Sequence, residues 1–472
     1  MFDKSLAKEI IDEAVKTGGD FADLFVEEKR TTGIGCEAGK IEKVYSGFES
    51  GAGIRVISGE VTAYAYTNDL SREGLLNAAG MVSQAVQGKK KDVSLDLRSV
   101  KPAVDLWVEQ RPDEVSTERK VEAVEAADRA ARRVNDGSIR QVIVGYGDVV
   151  QKVFMANSEG ECVEDERVRT RLVVQAVAAR GPVLQTGIEA VGSTCGFEIF
   201  KDYPPEEVAA VAAKRAVEML GAKPAPAGRM PVVLSGEAGG TMVHEACGHG
   251  LEADLVQKGL SVYAGKKGQE VASREITVVD DAAMLKKYGS YRFDDEGVPA
   301  RKVALIEHGV LVDYLYDRLT AKKDGIISNG HGRRESYQHK PLPRMGNTYI
   351  APGKNSPDEI IKEVKNGLLV KKMGGGQVNT ATGDFVFDVA EGYLVEDGEV
   401  GPMVRGATLT GNGPQVLCQV QMVGNDLGFT IGTCGKDGQG VPVSDGQPTM
   451  LVGELVVGGT SHPKPTGRIR RI

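Results

Sequence analysis

Two of the six histidines of this 472-residue chain stand five residues apart in Glu237-Ala-Gly-Gly-Thr-Met-Val-His244-Glu245-Ala246-Cys247-Gly248-His249-Gly250-Leu251-Glu252. Imidazole suits zinc, and a carboxylate beside a metal ligand is placed to take a proton from activated water, the division of labour of His-Glu-x-x-His peptidases. The spacing here is one residue longer. On a regular α-helix, positions i and i+4 differ by roughly 40° about the axis and i and i+5 by roughly 140°, so His244 and His249 would point apart. Gly248 offers a remedy, because a glycine can end the helix or admit a π-type turn that carries i and i+5 onto one side. Taken alone, the pair also reads as surface or capping histidines at a glycine-terminated helix. Cys247 then reads as a small packed residue, and Glu252 and Asp254 either as oxygen ligands or as an exposed acidic pair.

Far along the chain, Gly432-Thr433-Cys434-Gly435-Lys436-Asp437-Gly438-Gln439-Gly440 surrounds a cysteine with glycine, lysine and backbone amides, a setting that lowers a thiol pKa. Two neutral histidines and one thiolate would give Zn²⁺ a site of net charge about +1 with a fourth position open to water. The competing reading of Cys434 is a glycine-rich turn with an incidental thiol. A cysteine hydrolase using Cys247 or Cys434 leaves Glu245 and one histidine without a task. The run from His331 through Arg333 and Arg334 to Arg344 reads either as a bidentate grip on a peptide carboxylate or as a solvated basic loop.

The elements that must position these residues follow from periodicity. Ser5 caps a first helix that stops at Gly18-Gly19. Short strands are expected over 21–27, 41–47, 52–58 and 61–66, with Ser58-Gly59 as a hairpin tip. Helices are expected over 71–87, 113–134 and 205–220, and strands over 140–146, 149–156 and 167–180. Gly221-Ala-Lys-Pro-Ala-Pro-Ala-Gly228 has no apolar period and marks a boundary, giving an N-terminal α+β domain at 1–224 and a β-rich C-terminal domain at 225–472. The second is expected to be a sandwich or barrel-like unit carrying the metal helix, with hairpin tips at His308-Gly309 and Asp397-Gly398 and helical pieces near 237–250, 281–287 and 357–367. The fold class is therefore α+β.

Composition narrows the function. Glycine, at 60 residues, is well above its usual share, while aromatics make up only 5% and the formal charge is −8. Acidic residues outnumber basic ones on both sides of residue 231, so a nucleic-acid surface is not expected. Lys89-Lys90-Lys91 and Arg468-Ile-Arg470-Arg471 read as solvated surface and tail. The start lacks a basic n-region and apolar h-region and no long apolar run follows, so a cytoplasmic protein without a membrane span is expected. Six scattered cysteines make no disulfide framework. No P-loop, dinucleotide fingerprint or Gly-x-Ser-x-Gly elbow occurs.

The segment His244-Glu-Ala-Cys-Gly-His-Gly-Leu-Glu-Ala-Asp254 resembles the signature of the TldD/PmbA family of zinc metalloproteases, whose members are also described as modulators of DNA gyrase. The blocks 336–353, 374–384, 404–409 and 432–443 resemble family blocks in the same order, so the likeness covers nearly the whole chain. The resemblance implies a TldD-like subunit, which keeps the histidines and glutamate that the PmbA-like (TldE) subunit lacks. It implies His244, His249 and Cys434 as metal ligands, Glu245 as the catalytic residue, Zn²⁺ as the cofactor, and hydrolysis of unfolded peptides by a dimer, homomeric or with a PmbA/TldE-like partner. The alternative is a non-hydrolytic peptide-binding or regulatory subunit of such a complex. A β-rich second half also offers sheet edges along which an extended peptide could add as a strand.

Overall fold

A computed structural model describes residues 2–86, 95–134 and 137–459. The two basic runs at 89–91 and 468–471 lie outside the described residues. The chain is α+β, built on one large antiparallel sheet in the first half and two β-rich units in the second.

The large sheet runs in the order Val61–Thr67, Lys40–Ser58, Phe21–Glu37, Ile139–Asn157, Glu161–Arg180, with Val183–Ser193 and a short piece at Arg98–Ser99 both paired to Glu161–Arg180. Side chains alternate across a strand, and here the two faces have separate tasks. Even-numbered residues such as Leu24, Ile54 and Phe154 pack under the helices Lys4–Ala14 and Arg72–Ala85. Val144, Leu172 and Val174 do the same under Thr117–Arg133 and Pro205–Met219. Odd-numbered residues turn to the second half of the chain, where Phe25, Val153, Met155 and Val163 pack against Phe293 and Tyr337. Buried ions join this seam: Arg55 Nε donates to Asp23 at 3.0 Å, and its Nη2 to Glu296 at 2.7 Å.

The helices fall near their expected places, but the first, Lys4–Ala14, is capped by Asp3, which accepts Ser5 N–H, rather than by Ser5. The helix expected from 113 starts at Thr117, after a separate turn at Pro112–Glu114, and Ser71 and Ser116 each accept a backbone N–H at the N-cap. The strands are longer than the sequence pattern suggests. Phe21–Glu37 and Lys40–Ser58 form one hairpin arm whose tip, Ala38 and Gly39, has φ of 50° and 75°. Charged and glycine residues from 28 to 50 interrupt the apolar alternation that a sequence reading relies on. The ladder continues regardless, because pairing in an exposed arm needs only the main chain. Ile139–Asn157 is also one strand rather than two, but there the alternation of buried residues runs unbroken through Gly145 and Gly147. The expected tips at Ser58-Gly59, His308-Gly309 and Asp397-Gly398 all turn hairpins.

In the second half, Asn366–Val378, Gly228–Leu234, Met450–Gly458, Thr408–Asn412 and Asp384–Glu396 pair in a ring, with the last strand pairing back to the first to close a barrel. Residues 223–224 join the barrel's sheet by pairing with Val404 and Arg405. A six-stranded sheet lies beside it, in which Asn347–Ile350 pairs parallel to Gln439–Gln447 and Gly428–Lys436 is the outermost strand. Helical segments occur at 236–257 and at Pro357–Lys362, whereas 281–287 is a run of turns after the strand Val278–Asp281. The core of this half joins barrel residues such as Val232, Leu368 and Phe387 to Met242, Val243, Ala246 and Leu251. The histidine-bearing helix is thus anchored by its apolar side chains.

Candidate metal centre

The strand Gly228–Leu234 leads through a short turn, in which Ser235 caps Glu237 N–H, into the helix Thr241–Val243. The next five residues, His244–Gly248, are a π-helix, and His249 N–H donates to His244 O, the i to i+5 bond that defines it. This wider turn brings the two imidazoles together with ring centroids 4.9 Å apart and planes at 90°. Gly248 keeps a right-handed helical backbone, φ −53°. Its contribution is space: a Cβ there would lie 2.1 Å from Met345 Sδ.

Cys434 arrives from the outermost strand, Gly428–Lys436, and its Sγ lies 3.5 Å from His249 Nε2. One ligand atom each from His244, His249 and Cys434 fall within 4.8 Å of one another. The second nitrogen of each ring is held by a carboxylate: His244 Nδ1 by Asp445 at 2.7 Å and His249 Nδ1 by Glu252 at 3.1 Å. This carboxylate-histidine pairing fixes ring orientation and raises ligand basicity, as in metal sites generally. The hairpin that carries the thiol is pinned from behind by the fully buried Arg344, which donates to Cys434 O and Gln439 O.

The electrostatics of the group suit one that could hold a cation. Burial works against charge on His244, but Asp445 and Cys434 raise its pKa well above the ordinary value. His249, buried beside Glu252 and Cys434, is raised to about 10. Burial alone would raise the Cys434 thiol, yet the two histidines bring it down to about 5, which is thiolate at neutral pH. Two imidazoles and a thiolate, each imidazole backed by a carboxylate, are the donor set that fits zinc with a position left over. Lys436 does not acidify the thiol as its proximity in sequence suggests. Its ammonium is bound to Asp254 at 2.5 Å and Glu252 at 3.1 Å.

The remaining sequence candidates divide clearly. Glu245 is half-buried, takes no hydrogen bond from the described residues, and its pKa is raised by burial against the opposing pull of both histidines. Cys247 is packed in the core, donates to Val243 O at 3.3 Å, and burial pushes its thiol up to about 12, so it is neither ligand nor nucleophile. Glu252 and Asp254 are buried supports, not ligands or an exposed pair. Asp445 gave no signal in the sequence, since the 201 residues separating it from His244 are closed only by the pairing of Gln439–Gln447 with its neighbours.

The model described as the PmbA/TldA metallopeptidase C-terminal domain matches residues 227–459, the central domain 110–220, and domain 1 residues 22–86. The chain belongs to the PmbA/TldD family. It is 36% identical to the metalloprotease TldD homolog of Haemophilus influenzae over 94% of this chain and 93% of that protein. It is 37% identical to a metalloprotease of Methanothermobacter thermautotrophicus, over 93% and 96%. A zinc metalloprotease TldD homolog of Saccharolobus solfataricus is 33% identical over 66% of this chain and 70% of that one. Among solved structures, a candidate modulator of a DNA gyrase from Thermotoga maritima superposes with TM-score 0.80 at 25% identity, covering 96% of this chain and all, 100%, of that one. TldE from Thermococcus kodakarensis shares the fold with TM-score 0.77 at 21% identity, covering 96% and 100%. PmbA/TldD membership thus agrees with a metallopeptidase class for the chain. Among its described residues no helix is long and apolar enough to cross a membrane.

Proposed function

We propose that this chain is a zinc-dependent peptidase acting on unfolded or extended peptides, with His244, His249 and Cys434 as the metal ligands and Glu245 as the general base. The observation that carries this reading is the convergence of three donor atoms within 4.8 Å, drawn from a π-turn and from a strand some 185 residues away. When bound, zinc supplies Lewis-acid polarisation of a scissile carbonyl and acidifies water. The chain's own residues do the rest. Asp445 and Glu252 hold the imidazoles with their Nε2 atoms toward the thiol. Glu245, unbonded and beside the histidines, takes the proton of the attacking water and returns it to the leaving amine.

The same strand that presents Cys434 is the last in its sheet, so no described strand pairs with its outer edge, and an extended peptide added there would be held by main-chain bonds with little regard to sequence. In this reading the unit 1–224 backs the site, the unit 225–472 supplies every ligand, and the protein works in the cytoplasm as a homodimer or with a PmbA/TldE-like partner. The likeness to TldE supports that partner class. The non-hydrolytic alternative has no use for His244, Glu245, His249 and Cys434 together.

Zinc per chain and peptide cleavage, measured for wild type, Glu245→Ala and Cys434→Ala with and without a PmbA-like partner, test this. Retained zinc with lost cleavage is expected for Glu245→Ala. Full activity in metal-stripped protein would refute the peptidase mechanism, and unchanged zinc in Cys434→Ala would remove that ligand.

A further inference from the structure

On the face of the Gly428–Lys436 strand opposite Cys434 lies a cavity of about 290 Å³, closed on one side by the large N-terminal sheet. Thr433 lines it, and as neighbours on one strand Thr433 and Cys434 point to opposite faces. Arg167, Arg169 and Arg171, at alternate positions of Glu161–Arg180, enter from the N-terminal sheet, and Arg333 and Arg334 enter from the other side. The loop carrying the latter two is not solvated, since Arg333 and Arg334 are each only 4% exposed.

Charge in this cavity is out of balance. Arg169 and Arg333 are buried and, among the described residues, hydrogen-bond only to carbonyls, Arg169 those of Tyr288 and Ser290 at 2.8 Å each, and Arg333 those of Met345 and Pro442, while Arg333 also lies over the Tyr291 ring at 5.0 Å. No carboxylate among the described residues pairs with Arg169, Arg171 or Arg333. The four acids that line the cavity are already engaged: Asp295 with Arg167, Asp148 with Lys120 at 2.6 Å, Asp294 with the N–H groups of Glu296, Val298 and Gly332, and Glu335 with Gly440 N–H. Arg334 Nε is buried without a partner. Burial and the neighbouring Arg333 and Arg167 lower Arg169 to about 10, the signature of a guanidinium that lacks its anion. Stranding cations in this way is unfavourable unless something arrives to offset them.

We infer that this cavity receives a carboxylate of the bound peptide, an acidic side chain or a free C-terminus, and so selects carboxylate-bearing substrates. The inference rests on the edge-strand reading given above. A peptide added along Gly428–Lys436 alternates its own side chains, one set toward the histidine-cysteine group and the other toward the arginines. Planar guanidinium forks match a carboxylate bidentately, which favours it over the isosteric amide.

The test is binding that does not depend on hydrolysis. Fluorescence anisotropy of labelled extended peptides, differing only by Glu or Gln at each position and by free acid or amide at the C-terminus, is read on the full-length Glu245→Ala chain. The same is done with Arg169→Gln or Arg171→Gln added. At least one carboxylate should bind about tenfold more tightly than its neutral counterpart, with the preference falling to about twofold or less in the arginine variants. Arg171 is exposed and makes no hydrogen bond with the described residues, so Arg171→Gln reports even where Arg169→Gln fails to fold. Equal binding of acid and amide peptides would overturn the proposal, as would a preference that survives in Arg171→Gln and in a folded Arg169→Gln. Inorganic phosphate that raises Tm through these arginines without any peptide preference would also overturn it, making the cavity a free-anion site. A carboxylate preference in a chain that never cleaves peptides supports the cavity assignment and refutes only the peptidase reading.

Discussion

The hairpin Gly428–Gln447 has a different kind of pocket on each face. On one, His244 and His249 are gripped by Asp445 and Glu252 and look onto a thiol lowered to about 5, so the two imidazoles stand among three acidic groups. On the other, the buried Arg169 and Arg333 are tied to carbonyls and pair with no carboxylate among the described residues. A structural ion cluster looks like neither. At the seam between the halves, Arg55 meets both Asp23 and Glu296 and its demand is met from within the fold. Charges that close on themselves hold a protein together, and charges left open in one sign mark where a ligand of the other sign belongs.

That contrast can be broken by mutation. Glu245→Ala should leave zinc content intact and lower peptide cleavage by about 10² to 10⁴, measured by initial rates alongside metal analysis. Residual activity near wild type would remove Glu245 from the chemistry. Arg55→Met opens the closed cluster and strands two buried carboxylates, so it should destabilise the chain by about 3 to 5 kcal/mol. Urea unfolding reads this, and a change within error would mean that the seam does not bear stability. Asp445→Asn removes the support behind His244 and should weaken zinc binding about 10- to 100-fold, followed by chelator competition. An unaltered affinity would make the Asp445 contact incidental to the metal centre.

The smallest effect expected is on pH dependence. Burial and the charge of Glu296 raise Asp294, and burial and Glu296 likewise raise Asp317. A carboxyl whose folded pKa lies above its unfolded one stabilises the fold while protonated, and that contribution is lost as pH climbs through the raised value. Carboxylates held low, such as Glu252 and Asp295, act only at pH below the ordinary carboxylate range. The urea midpoint of the metal-free chain should therefore decline between about pH 5 and pH 8. A midpoint that rises across this window would show that the seam acids are ionised in the folded state.

Much of the candidate metal centre was legible in the order of residues. His244, Glu245 and His249 stand within one segment, and the need for a departure from the α-helix, by a helix end or a π-type turn, follows from the mismatch between five residues and the α-helical period. The reason for Gly248 did not follow, because its role is the close approach of Met345 from elsewhere in the chain. Glycine hairpin tips were readable because a left-handed backbone has a local chemical signature. The long arm of the first two strands was not, since its charged residues carry no burial pattern and its ladder is made by main chain alone.

By itself the sequence determined the α+β class, the approximate places of the long helices, and the residue types of the candidate metal group, all of which depend on neighbours a few residues apart. Only the tertiary structure decided that Asp445 stands behind His244, that Lys436 serves Glu252 and Asp254, and that Arg169 and Arg333 share a cavity whose acids are engaged elsewhere. Strand pairing and the packing of one sheet face on the other half of the chain bring these residues together. Contacts of that range leave no periodicity in a sequence, because each partner's own neighbours are chosen for a different surface.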